Sequence, residues 1–571
     1  MTRARLGALT IGIVAASAVF GGGIVRAQTE DQRSALVVLV PDASFDELLA
    51  RPDVASLARA GGAGLLVNPD DVVEFAGPVV MGETRAILRS TDPRSLASLV
   101  DRFRIGGSAE DEVLVIVIGA DLRERSATPS FGVVALGPDI GGIVLAEGTP
   151  DELFPRTGEP GSLTSDSTRR DGVVTGGDVR ATLIDYLGRA PLVARDVPAG
   201  SPIEIIPGPP PFELHERYLA QRRMYVPIGT AGGIYLAIAG LGGIAALALG
   251  SRVPRAVRRI FGWGCLSVAA LATAFLAAGH LPDLTYATVV PFVALVTVFG
   301  TLAFAPLEHR DVLLIPAGIG IAVLAYFAIE TLLGWTAALT PFVGGSELDG
   351  GRFYGLPNVF IGLLIGACLW IAQRLRTATG FALLVVVAVF AGFPYLGANL
   401  GGGVSLFAAA GLWLAIRERE RLGVWKGLGV FVGVTVLGTA LILAAHAISP
   451  FETHVTRFEE QAGGIGGVLE KAWDRLNVGF DLIARNPFAL IPVLGLPIAI
   501  AAVLRPPAAL RPSLERSPAW RDAILVTLLA GVVAYAVNDS GPAAAGFAFG
   551  LGLGGLLGVS LLSGAGKMGE P

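Results

Sequence analysis

From Tyr225 to Gly564 the sequence is a succession of long apolar stretches separated by short polar links. A hydrocarbon core about 30 Å thick requires about 20 apolar residues in a helix to cross it. Backbone groups in lipid must also find partners within the segment, which favours helices. Candidate spans are 226–250, 260–279, 286–305, 312–334, 359–373, 381–396, 402–416, 424–447, 487–504, 523–537 and 543–562. The expectation is an all-α polytopic membrane domain over 225–564, with about eleven transmembrane helices.

The first part of the chain has a different solvent preference. Overall, 53% of residues are hydrophobic and 16% charged, with mean hydropathy +0.64. A soluble chain carries about 25% charged residues. Residues 28–224 nevertheless read as an ordinary soluble segment, with mixed charges and short apolar runs. Residues 1–27 read as a targeting segment. Arg3 and Arg5 form the basic end, 6–25 the apolar part, and Val25-Arg26-Ala27 the cleavage pattern. Whether it is a cleaved signal peptide or a retained anchor, it delivers 28–224 to the outer side. The net charge of −5 comes with no basic stripe, which argues against nucleic acid as a partner. Cys265 and Cys368, the only cysteines, sit in apolar stretches, so no disulfide staples the soluble segment.

Arginine placement orients the spans. The link after the first span holds Arg252, Arg255, Arg258 and Arg259. Alternate links then carry His309-Arg310, Arg374 and Arg376, Arg417 to Lys426, and Arg505 to Arg521. Such links face the cytoplasm. The soluble segment and the arginine-poor links therefore share the opposite side, and the tail 565–571 is cytoplasmic.

Within 28–224, apolar runs at 34–40, 64–67, 113–118, 132–136 and 143–146 read as strands. The segments 45–49, 54–60 and 179–187 read as helices. Alternation of the two implies an α/β layered sheet. Asp42 and Asp121 fall at carboxyl ends of strands, the functional edge of such sheets.

The runs Val-Val-Leu-Val-Pro-Asp42, Val-Ile-Gly-Ala-Asp121 and Leu163-Thr-Ser-Asp-Ser-Thr-Arg-Arg170, followed by 179–188, resemble the alkaline-phosphatase superfamily. The resemblance covers most of 34–191 and implies an alkaline-phosphatase-like sheet. It further implies two metal ions held by Asp and His, with a Ser or Thr nucleophile. Asp42 matches the first metal aspartate, and Asp121 stands where the family has Asp-His. The departure is large, because no histidine precedes His215. Asp139, Asp166 and Asp171 would have to complete an all-carboxylate site, and nothing visibly activates Ser44, Ser165 or Thr168. The segment reads as a degenerate, non-hydrolytic relative serving for binding or scaffolding, with its metal site vestigial.

The informative links of the membrane region lie on the outer side. One runs from Gly344 through Glu347, Asp349, Arg352 and Tyr354 to Asn358; another spans 394–403 around Asn399. A long link, 449–486, opens with Glu452, His454 and Arg457, and the last holds Asn538, Asp539 and Ser540. Turn geometry alone accounts for Gly, Asn and Asp in the Asn399 link. The others suggest one composite site. Arg352 and Arg457 would grip a phosphate or carboxylate, with Tyr354, Asn358 and Asn538 lining it. His454, Glu452 or Asp539 would take a proton. Helical spacing of Leu469, Trp473, Leu476 and Phe480 predicts an amphipathic outer helix lying on lipid or on the soluble domain. Glu330 is the main ionisable residue within a span. The Gly-Arg-Phe-Tyr-Gly and Asn-Asp-Ser-Gly runs are similar to those of bacterial envelope membrane proteins that join a phosphatase-like ectodomain to a polytopic region.

Three functions fit these features. The first is a transferase acting on a lipid-linked substrate at the outer surface. The second is a flippase or transporter of an envelope precursor, which predicts more polar residues deep in the spans than the sequence holds. The third is a non-catalytic scaffold for envelope-assembly proteins. Membrane lipid or a lipid-linked substrate is the expected partner, and the sequence specifies no cofactor.

Overall fold

The computed structural model describes residues 34–41, 45–67, 86–89, 113–120, 141–148, 159–186, 200–343, 354–449, 490–538 and 541–566. Two compact units divide the chain, one formed by Met1–Ser126 with Pro138–Phe212 and the other including Glu213–Pro571.

The first unit is built on one eight-stranded sheet. Its strands are β1 (Ser34–Pro41), β2 (Gly62–Val67), β3 (Ala86–Arg89), β4 (Val113–Ala120), β5 (Gly141–Gly148), β6 (Gly161–Ser165), β7 (Val173–Thr175) and β8 (Ile203–Ile206). The order is β3-β1-β4-β5-β2-β6-β8, with β7 also pairing β2. β4 lies inside the sheet, and its residues 114–118 are all buried. A strand covered on both faces needs no polar alternation, which is why it reads as an unbroken Val-Leu-Val-Ile-Val-Ile run. Helices α1 (Phe45–Leu49) and α2 (Pro52–Ala60) follow β1, and α3 (Gly176–Tyr186) follows β7. Pro52 stands at the start of α2, where its missing N–H is not needed. The pairings β4–β5, β5–β2 and β6–β8 are antiparallel, whereas β1–β3, β1–β4, β2–β6 and β2–β7 are parallel. The unit is therefore a mixed α/β domain. The strand expected at 132–136 lies outside the described residues.

The second unit is helical, and here the expected fold class needs correction. Among the described residues, seven helices are long and apolar enough to cross a membrane. They are Phe212–Arg252, Tyr286–His309, Leu314–Leu332, Leu400–Arg417, Arg419–Ala447, Pro518–Val537 and Gly541–Ser563. The pair Arg255–Leu266 and Val268–His280, bent by 46°, would make an eighth if it is one span. The count is thus seven or eight rather than about eleven. The apolar stretches 359–373, 381–396 and 487–504 form only the shorter helices Asn358–Ala372, Thr377–Gly392 and Leu494–Leu504.

The physical reason is plainest at Ile361–Ala372. Its 12 residues extend about 18 Å at 1.5 Å each, well short of a bilayer core. All of them except Ile371 are buried. A helix that is apolar all round belongs inside a bundle, so here the apolar run records protein neighbours rather than lipid. Gly362 and Gly320 make the close packing possible. A side chain on Gly362 would strike Ala544 O, and one on Gly320 would meet Ala367 O at 2.6 Å. Trp370, Trp413 and Trp520 fill the same core. By contrast, Ile238, Leu241, Phe299 and Leu437 are well exposed on the outer helices, as lipid-facing positions should be.

Side-chain pairing sorts the helix ends into two sets. Arg259 meets Glu308 at 2.8 Å, Arg374 meets Asp311 at 2.8 Å, and Arg417 and Arg419 meet Asp522 at 3.2 and 3.0 Å. Each of these pairs joins two links that the arginine rule assigns to the cytoplasmic side. The protein is a multi-pass membrane protein with a separate extracytoplasmic α/β domain.

Candidate functional site

In the soluble unit the candidate nucleophiles are engaged in structure. Thr175 precedes α3, and its hydroxyl accepts from Asp178 N at 3.3 Å. Asp178 returns the bond, accepting from Thr175 N at 2.8 Å, so the two form a capping box. The fully buried Asp178 carboxylate also accepts from Ser165 Oγ at 2.8 Å and from Ser201 N at 2.9 Å. Thr168 donates to Val173 O at 2.7 Å. Ser165 and Thr168 thus tie the β6–β7 turn to the start of α3. Asp166 and Asp171 are exposed on that turn. Among the described residues no three His, Cys, Asp or Glu side chains gather as a metal site would need.

At the outer end of the helical unit the links are laced together. Asn399 caps the helix Leu400–Arg417, its Oδ1 accepting from Gly402 N at 2.7 Å. Its Nδ2 donates to Leu356 O at 2.7 Å and to Asn358 Oδ1 at 2.8 Å. Leu356 N donates to Gly397 O at 2.7 Å, and Gly355 turns the chain there at φ 86. Asn538 donates to Ser405 Oγ at 3.1 Å and to Ala534 O at 2.9 Å. A side chain on Gly401 would meet Asn538 Oδ1 at 2.5 Å, so glycine is needed for that approach. Asn358, Asn399 and Asn538, from three separate outer links, therefore meet around the start of one helix.

A second set of bonds reaches the outer link 394–403 from an ionisable pair. Trp335 Nε1 donates to Leu396 O at 3.2 Å, and Trp335 N donates to Glu330 O at 3.0 Å. Glu330 is fully buried. Its Oε1 accepts from Ala337 N at 2.8 Å, and its Oε2 accepts from Tyr326 at 3.3 Å. His280 Nε2 stands 2.6 Å from the same Oε2. In the arrangement where Glu330 is ionised and the imidazole neutral, Nε2 donates to the carboxylate and the lone pair falls on Nδ1. The His280 side chain is 33% exposed. Arg217 grips the chain on both sides of it, donating to Gly279 O at 2.6 Å, Leu281 O at 2.6 Å and Pro282 O at 3.0 Å. Gln221 donates to Pro341 O at 2.5 Å and ties the same helix to the segment after Ala337.

Comparison with known protein families, curated proteins and solved structures finds no match to this chain.

Of the residues singled out in the sequence, Asn358 bonds Asn399 directly, and Asn538 packs on the same helix start through Ser405 and Gly401. Tyr354 is half-buried next to Gly355 in the same turn. Arg352, Glu452, His454, Arg457, Asp539, Asp42 and Asp121 lie outside the described residues, as do Ser44, Asp139, Glu347, Asp349 and the amphipathic stretch around Trp473. Sequence reasoning missed His280, Asp178 and Arg217. For His280 a usable signal exists: it closes an apolar stretch on the outer side, in a chain with only five histidines.

Proposed function

We propose that this protein is an envelope transferase acting at the outer membrane face on a substrate carried by a lipid phosphate. The observation that carries this reading is the His280–Glu330 pair, a half-open imidazole held by a buried carboxylate at the outer end of the helical unit. Arg352 and Arg457 would hold the lipid phosphate, with Tyr354, Asn358 and Asn538 around it. His454, Glu452 and Asp539 remain candidates for proton transfer. The outer side has no nucleoside triphosphate, which favours a donor already activated on a lipid. The soluble domain serves as a docking module, a role supported by the engagement of Ser165, Thr168 and Asp178 in structural bonds.

The test is to purify the full-length protein from its own membranes and identify the retained lipids by mass spectrometry. A phosphate-linked lipid is expected in the native protein and lost in Arg352→Ala, with equal amounts of protein in the membrane. His280→Gln should keep the lipid and lose function in cells. A scaffold would tolerate both substitutions, and that result would overturn the reading.

A further inference from the structure

We infer that His280, in place of His454, Glu452 or Asp539, is the group that takes the proton from the acceptor hydroxyl, with Glu330 as its positioning residue. The inference deepens the transferase reading and rests on it.

Four features set this imidazole apart. Its Nε2–H is fixed on Glu330 at 2.6 Å. Glu330 is itself fixed by Ala337 N and Tyr326, so the carboxylate cannot swing away. The backbone carrying His280 is clamped from both sides by Arg217. Among the described residues, the opposite ring nitrogen, Nδ1, is paired with Thr336 Oγ1 alone, through a long hydrogen bond of 3.5 Å that an acceptor hydroxyl could displace. A buried acid that orients a histidine whose second nitrogen stays available is the arrangement a general base requires.

In the step, the acceptor oxygen bonds to the transferred carbon as its O–H proton passes to Nδ1. The bond from that carbon to the lipid phosphate breaks, and its electron pair leaves on the phosphate oxygen. Glu330 stabilises the resulting imidazolium, which returns its proton to water. No oxidant or further reactant is needed.

Two measurements test this. The full-length protein in detergent is treated with diethyl pyrocarbonate at about pH 8, where an ordinary imidazole is neutral, and modification is followed peptide by peptide. His309, exposed at the opposite end of the bundle, is the internal control. His280 should react about tenfold faster than His309, although both are exposed, and Glu330→Gln should abolish the difference. Equal rates in the native protein, or an advantage that survives Glu330→Gln, overturn the inference.

The second measurement follows release of free lipid phosphate in vesicles of host total lipid extract carrying the protein. His280→Gln keeps an amide donor where Nε2 stood, so it preserves the bond to Glu330 and removes only the Nδ1 lone pair. Release should slow by about 10²–10⁴-fold with unchanged melting temperature. Release at the native rate means that His280 is structural and the inference is wrong. If the native protein releases nothing, the transferase reading falls, and the labelling ratio alone decides whether His280 is a reactive base.

Discussion

Asn399 donates to the side-chain oxygen of Asn358 at 2.8 Å, joining two outer links that are 41 residues apart in sequence. The same amide caps a helix and holds Leu356 O. Asn399→Ala should therefore lose a cap and leave a buried carbonyl without its donor. The combined cost is about 2–3 kcal/mol, read as a lower melting temperature of the full-length protein in detergent. Asn399→Asp keeps the cap acceptor but cannot donate, and should fall between the two. Native melting behaviour in Asn399→Ala would show that the lacing of the outer links contributes no stability.

At the inner end, Asp522 accepts from Arg417 and Arg419 with its side chain 5% exposed, against 24% and 52% for the two arginines. Exposure of Arg419 screens its share of the attraction. Asp522→Ala should cost about 1–3 kcal/mol, chiefly through Arg417. Adding Arg417→Ala to that variant should change stability little further, since the pair acts as one unit. A double-mutant cycle measured by chemical unfolding checks the coupling; simple additivity would contradict it.

In the soluble unit, Asp178→Ala removes one carboxylate, takes the acceptor from the backbone donors Thr175 N and Ser201 N, and leaves Ser165 Oγ with only its neighbours Ser167 and Thr168. Limited proteolysis of the full-length protein should then cut readily between β6 and α3. Ser165→Ala removes the bond to Asp178 and the longer contacts to Ser167 Oγ and Thr168 Oγ1 at 3.1 and 3.3 Å, costs about 1 kcal/mol and should leave the digestion pattern unchanged. If Ser165→Ala instead abolishes function in cells at native protein levels, the serine has a chemical role and the docking assignment fails.

Sidedness can be tested with little background, because Cys265 and Cys368 are both buried. Asp283→Cys and Arg310→Cys occupy exposed positions at opposite ends of the bundle. A membrane-impermeant maleimide should label Asp283→Cys in intact cells and reach Arg310→Cys only after permeabilisation. The reverse pattern would invert the topology and place His280 in the cytoplasm.

The sequence makes some of this architecture legible and hides the rest for identifiable reasons. β4 and β5 were readable because strands buried on both faces need continuous apolar runs, β1 was readable from its own apolar run, and the division between soluble and helical units followed from charge density. The sorting of helix ends was readable because arginines mark one side. Helix length was not, because hydropathy cannot distinguish lipid from protein as the apolar neighbour of 361–372. His280 draws its significance from Glu330, fifty residues later, and from Arg217, far upstream of both; spacing along the chain reveals neither relationship. Asp178 looked like one of many aspartates near a helix start until Ser201 and Ser165 were seen to converge on it.

The enclosed helix Ile361–Ala372 also constrains biogenesis. Its lining includes Pro518–Val537 and Gly541–Gly566, which leave the ribosome well over a hundred residues later. During synthesis this segment must wait, too short to rest comfortably in the bilayer and not yet sheltered by its companions. Nascent chains halted before Pro518 should be retained by the insertion machinery or handed to membrane proteases, which makes the C-terminal hairpin the step that commits the protein to its finished form.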